Sequence, residues 1–107
     1  MKRIEQPVDL LELFNQQKQL EEELRNLKEL RHIVEEAREV YYELLKKETK
    51  YVNSNSKEVK KIQNEIERLD DRMEYFNNQI AQKRSEIKSI EAKISIAEKE
   101  TSQPGNY

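Results

Sequence analysis

Residues 59–101 read VKKIQNEIERLDDRMEYFNNQIAQKRSEIKSIEAKISIAEKET, and this stretch decides the fold. Alternate steps of three and four from Val59 visit Val59, Ile62, Ile66, Leu69, Met73, Phe76, Ile80, Lys83, Ile87, Ile90, Ile94, Ala97 and Thr101. Eleven of these thirteen positions are apolar. A period of 3.5 residues keeps one apolar stripe turned toward a partner along the whole helix, which is the seam of a coiled coil.

The first half of the chain carries a rougher counterpart. Its stripe runs Leu10, Leu13, Gln17, Leu20, Leu24, Leu27, Leu30, Val34, Ala37, Tyr41, Leu44, Glu48 and Tyr51. The steps from Leu24 through Leu27 to Leu30 are three and three, so a stammer-like irregularity is expected near Leu27. Polar Gln17 and Glu48 weaken this seam further.

Punctuation in the sequence places the ends. Asp9 is a good helix cap and Glu12 completes a capping box, with Val8 and Leu13 available as a hydrophobic staple. Asn53-Ser54-Asn55-Ser56 is the turn-like cluster between Pro7 and Pro104, and it lies at the midpoint. Asn55 is expected to cap the second helix, with Glu58 at the capping-box position. The expected organisation is a disordered N-terminus at 1–7, a helical hairpin at 8–102 and a disordered tail at 103–107. Within the hairpin the helices span 8–52 and 56–102 around a loop at 53–56.

If the chain folds back at that loop, paired residue numbers must have a constant sum. Leu44 with Ile66, Tyr41 with Leu69, Ala37 with Met73, Val34 with Phe76 and Leu13 with Ala97 all add to 110. The fold class expected is therefore all-α: an antiparallel two-helix coiled-coil hairpin, pairing into a four-helix bundle. Arg38 and Asp70 fall on facing flanks, as do Lys47 and Glu65, whereas Glu23 faces Glu86 and Glu21 faces Glu91. Each helix would be roughly 65 Å long at 1.5 Å per residue.

Composition agrees with long helices and excludes other classes. The chain has 107 residues, 20 basic and 22 acidic, with one Gly and two Pro. So few breakers argue against a turn-rich β fold. Without cysteine there is no disulfide framework and no thiolate metal site. A mean hydropathy of -1.11, with no long apolar run and no secretory pattern at the start, predicts no membrane association and a cytoplasmic location. A net charge of -2 gives no global attraction to nucleic acid.

Catalytic chemistry is not expected. There is no Gly-rich phosphate loop, no cysteine nucleophile and no histidine pair. His32 follows Glu29 by three residues, half of a bundle-type metal motif, but both fall on the outer face. The runs Glu21-Glu22-Glu23 and Asp70-Asp71 read as solvated faces. Lys83 sits on the seam, where its stem can pack on Leu27 while its ammonium reaches water, or where it can fix the register. No enzyme activity, cofactor, metal or small-molecule substrate is expected.

Two surfaces stand out instead. Apolar residues of the first helix from Leu30 to Leu45 cover an arc of roughly 140°, wider than one partner requires. Ile33, Ala37, Val40 and Leu44 are expected to bind a further helix, from a second copy or from a helical hetero-partner. Around the midpoint, Lys46, Lys47, Lys50, Lys57, Lys60 and Lys61 stand against only Glu48 and Glu58, with Tyr51 among them. The leading expectation is a non-enzymatic coiled-coil interaction module: an assembly subunit, adaptor or small chaperone. The alternative is a nucleic-acid-associated protein whose lysine-rich tip contacts phosphates, which the absence of arginine there weakens.

Overall fold

A computed structural model describes residues 9–51 and 56–102. It contains α1 (Leu10–Tyr51, 42 residues) and α2 (Lys57–Ser102, 46 residues), packed against each other as an all-α helical hairpin. Among the described residues there is no strand. The expectations for 1–7, 53–55, 103–107 and Val8 lie outside the described residues.

Both helix starts are set by side chains. Asp9 Oδ1 accepts from the Leu11 and Glu12 amides at 3.0 and 3.4 Å, and its carbonyl accepts from Leu13 at 3.1 Å. This satisfies amides that the first turn would otherwise leave unpaired. At α2 Ser56 caps the helix: its Oγ accepts from the Val59 amide at 3.1 Å and its carbonyl from Lys60 at 3.1 Å. The third helical position is then Val59, which is fully buried, so Glu58 cannot close a capping box.

α2 follows its expected seam closely. Val59, Ile66, Met73, Phe76, Ile80, Ile87, Ile90, Ile94 and Ala97 are buried, and Ile62, Leu69 and Lys83 are half-buried. Among the described residues, α1 adds only Leu13 and Val34 to the buried hydrophobic residues.

The contacts fall into two compact units. The one within Met1–Arg25 and Ala81–Tyr107 has a core of Leu13, Ile90, Ile94 and Ala97, with Leu10 and Leu20 packed against it. The other, within Asn26–Ile80, is built on Val34, Met73 and Phe76, with Leu27 and Leu69 against them.

The phase of α1 differs from expectation. Leu30 and Leu44 are exposed, while Arg31, Arg38 and Leu45 are half-buried. The positions turned toward α2 are therefore Leu24, Leu27, Arg31, Val34, Arg38, Tyr41, Leu45 and Glu48, an unbroken alternation of three and four with no stammer. The strict repeat of α2 needs a strict repeat opposite it. α1 supplies one by laying two arginine stems in the seam and pairing their heads at its edge. Arg31 Nη1 donates to Asn77 Oδ1 at 3.0 Å, and Arg38 Nη1 to Asp70 Oδ1 at 2.9 Å.

The register shifts accordingly. Arg31 with Asn77 and Arg38 with Asp70 add to 108 in one unit. In the other, Gln17 with Glu91 adds to 108 and Glu23 with Lys83 to 106. The expected 110 is thus high by two to four residues, between about half a helical turn and just over one. The corrected seam positions add to 107, as Val34 with Met73 and Leu13 with Ile94, while the expected pairs Val34 with Phe76 and Leu13 with Ala97 lie in the same two cores, so the polar contacts across the seam carry the shift. A heptad list slid by three residues still matches apolar to apolar, so hydrophobic pattern alone could not separate the two registers.

Edge charges follow the new register. Arg38 does meet Asp70, but Glu65 is engaged by Arg68 at 3.4 Å. Glu23 and Glu86 do not repel unshielded, because Lys83 Nζ lies 2.9 Å from Glu23 and 3.2 Å from Glu86. The hydrogen bond from Lys83 holds the Glu23 carboxyl below its usual 4.5, helped by Gln19. That same bond raises the Lys83 ammonium above 10.5 against the opposing effect of burial.

Candidate interaction surface

The unit within Asn26–Ile80 presents a second apolar stripe on α1. Leu30, Ile33, Val40 and Leu44 are 47%, 61%, 58% and 40% exposed, and Ala37 is half-buried. Together the five repeat at steps of three, four, three and four. Each lies one residue before a position turned to α2, so the stripe sits about 100° around the helix from the hairpin seam. Ile33 and Val34 show the division: the first is largely in solvent, while the second is buried.

The stripe has an acidic border. Glu29, Glu36 and Glu43 recur every seven residues beside Leu30, Ala37 and Leu44, and all three are exposed. Glu36 lies 3.6 Å from His32 Nε2, and Glu43 lies 3.7 Å from Lys46 Nζ. Glu39 stands exposed farther round. His32 also approaches Glu35 at 3.5 Å, so its neighbours are the glutamates that follow it, not Glu29.

The lysine-rich region belongs to the same unit. Lys46, Lys47 and Lys50 on α1 and Lys57, Lys60 and Lys61 on α2 are all exposed. The side chain of Tyr51 lies outside the described residues.

Some exposed apolar groups have no place in the sequence expectation. Tyr75 on α2 is exposed and meets Phe76 edge-on, with ring centroids 5.4 Å apart at 71°, while Arg72 lies 5.9 Å over the Phe76 ring. In the other unit Leu11, Phe14 and Ile96 are exposed. The signal for all four was their position one residue off the seam.

An open groove of about 450 Å³ is lined by Gln16, Gln19, Leu20, Glu23, Glu86, Ser89 and Ile90. Its two carboxylates are already committed to Lys83. Among the described residues, no group of three or more histidines or carboxylates is placed to hold a metal ion. Among them, too, no helix is long and apolar enough to cross a membrane.

Comparison with known proteins gives no matching family model, no matching curated protein and no matching solved structure.

Proposed function

We propose that the protein is a non-enzymatic helical interaction module, an assembly subunit, adaptor or small chaperone, that works through the outer stripe of α1. The observation that carries this reading is the continuity of the stripe: Leu30, Ile33, Ala37, Val40 and Leu44 keep heptad spacing while α2 packs on the neighbouring positions. A helix with two adjacent heptad stripes is suited to two partners. Burying a large side chain from this stripe is worth roughly 1.5–3 kcal/mol. The occupant is a further helix, either from a second copy, which gives a four-helix bundle, or from another chain.

The test replaces Ile33→Glu/Val40→Glu. Helix content should stay as it was, because neither residue is part of the hairpin core. Partner capture from the native host, or self-association in sedimentation, should be lost. Unfolding of the variant, or association unchanged by it, contradicts the reading.

A second reading rests on the exposed lysines from both helices. In it the chain contacts phosphate backbones through Lys46, Lys47, Lys50, Lys57, Lys60 and Lys61, near Tyr51. Retention on heparin or DNA at low salt that disappears in Lys50→Glu/Lys57→Glu/Lys60→Glu would favour it. Absence of retention removes it.

A further inference from the structure

We infer that the α1 stripe takes an amphipathic helix from a different protein, one whose own apolar stripe is edged by lysine or arginine. This rests on the proposed docking role of the stripe and names its occupant. The carrying observation is the border: Glu29, Glu36 and Glu43 stand exposed at intervals of seven along one edge. In a helix pair the residues flanking the apolar stripe meet their counterparts on the facing helix and set partner choice. Three successive glutamates at one flank therefore select a flank of opposite charge.

A second copy of this chain does not offer that flank. Antiparallel pairing sets the glutamate row against the same row of the other copy, which is repulsive. Parallel pairing sets it against the other flank, at Val34 and Tyr41 of the second copy. Those residues are neutral and turned into that copy's own hairpin seam. Neither arrangement pairs the glutamates. An anionic lipid surface is disfavoured by the same border.

The test uses the full chain and three synthetic helical peptides that share one apolar heptad stripe but carry lysine, glutamine or glutamate at both flanks. Binding is read by fluorescence anisotropy at low and high salt, alongside sedimentation of the chain alone. The lysine-edged peptide should bind roughly tenfold more tightly than the glutamate-edged one, with less difference at high salt. Glu29→Lys/Glu36→Lys/Glu43→Lys should reverse the order. Ile33→Ser/Val40→Ser, which leaves the charge unchanged, should abolish binding of all three.

Equal affinity for the three peptides, still lost in Ile33→Ser/Val40→Ser, overturns the charge selection and leaves the docking reading standing. A dimer held by the stripe that excludes the peptides makes the second copy the occupant and overturns this inference alone. Binding unaffected by Ile33→Ser/Val40→Ser, or no binding and no association at all, overturns both.

Discussion

Arg38 reaches Asp70 across the hairpin at 2.9 Å, and that pair shows which of two adjacent stripes on α1 faces α2. With Arg38 at the seam, Leu30 and Leu44 are left exposed and Ala37 half-buried beside it. The more apolar stripe is thus the one left outside. Arg38 Nε is buried without a hydrogen-bond partner, so the arrangement also has a cost. Seam arginines weaken the hairpin but remove its ambiguity of phase and register, a known use of polar groups on a helical seam.

Disulfide trapping checks the register. Val34→Cys/Met73→Cys should crosslink within one chain at high dilution and faster than Leu44→Cys/Ile66→Cys. The first pair shares a core, whereas Leu44 lies on the outer stripe. A faster crosslink in the second pair would restore the register that sums to 110.

Replacing the seam arginine separates specificity from stability. Arg38→Leu should raise the unfolding free energy by about 1 kcal/mol, since an apolar side chain fills the seam and Asp70 remains hydrated. Asp70→Asn should cost no more than about 1 kcal/mol, because the pair is partly solvated. Chemical denaturation measures both. A large loss in Arg38→Leu would mean that the ion pair, not apolar packing, holds this layer.

The Lys83 cluster gives a pH dependence with a definite sign. Glu23 has a folded value below its unfolded one, so its contribution is present above pH 4.5 and is lost as pH falls through the folded value. Lys83 is raised, so its contribution is complete below 10.5 and is lost as pH rises through the folded value. Melting temperature should therefore fall between pH 7 and pH 3 by less in Glu23→Gln than in the unaltered chain. An equal fall in both would show that Lys83 does not stabilise the Glu23 carboxylate.

Neighbouring residues on α1 should respond oppositely to truncation. Val34→Ala removes two buried methyl groups and should cost about 1.5 kcal/mol. Ile33→Ala should stay within about 0.5 kcal/mol in the isolated chain, as surface substitutions do. Thermal unfolding at low protein concentration compares them. Equal losses would place Ile33 in the hairpin core.

How much of this was legible differs between the helices. In α2 the apolar residues and the seam coincide, so its whole buried face could be read from the spacing. In α1 the apolar residues serve two stripes. Leu30 and Leu44 attract a seam assignment on hydrophobicity, but the geometry of an unbroken repeat gives the positions to Arg31, Arg38 and Leu45. The misplaced phase also produced the misplaced register. The exposure of Ile33 and Val40 beside the seam was legible, and the exposed row is longer than expected because Leu30 belongs to it. Lys83 was visible as a polar interruption, but its bridging of Glu23 and Glu86 depended on the corrected register. The cap at Ser56 was hidden by the preceding Asn55, which has equal capping preference.

The most direct test of the central claim maps where a second helix lands on α1. Backbone amide spectra of the isotope-labelled chain are recorded during titration with the lysine-edged helical peptide. Saturable shifts should centre on residues 29–44 of α1, including Glu29, Ile33, Glu36, Val40 and Glu43, with the α2 positions behind the hairpin seam little changed. Shifts centred on residues 56–61 and 46–50 instead, or no saturable shifts at all, would contradict that claim.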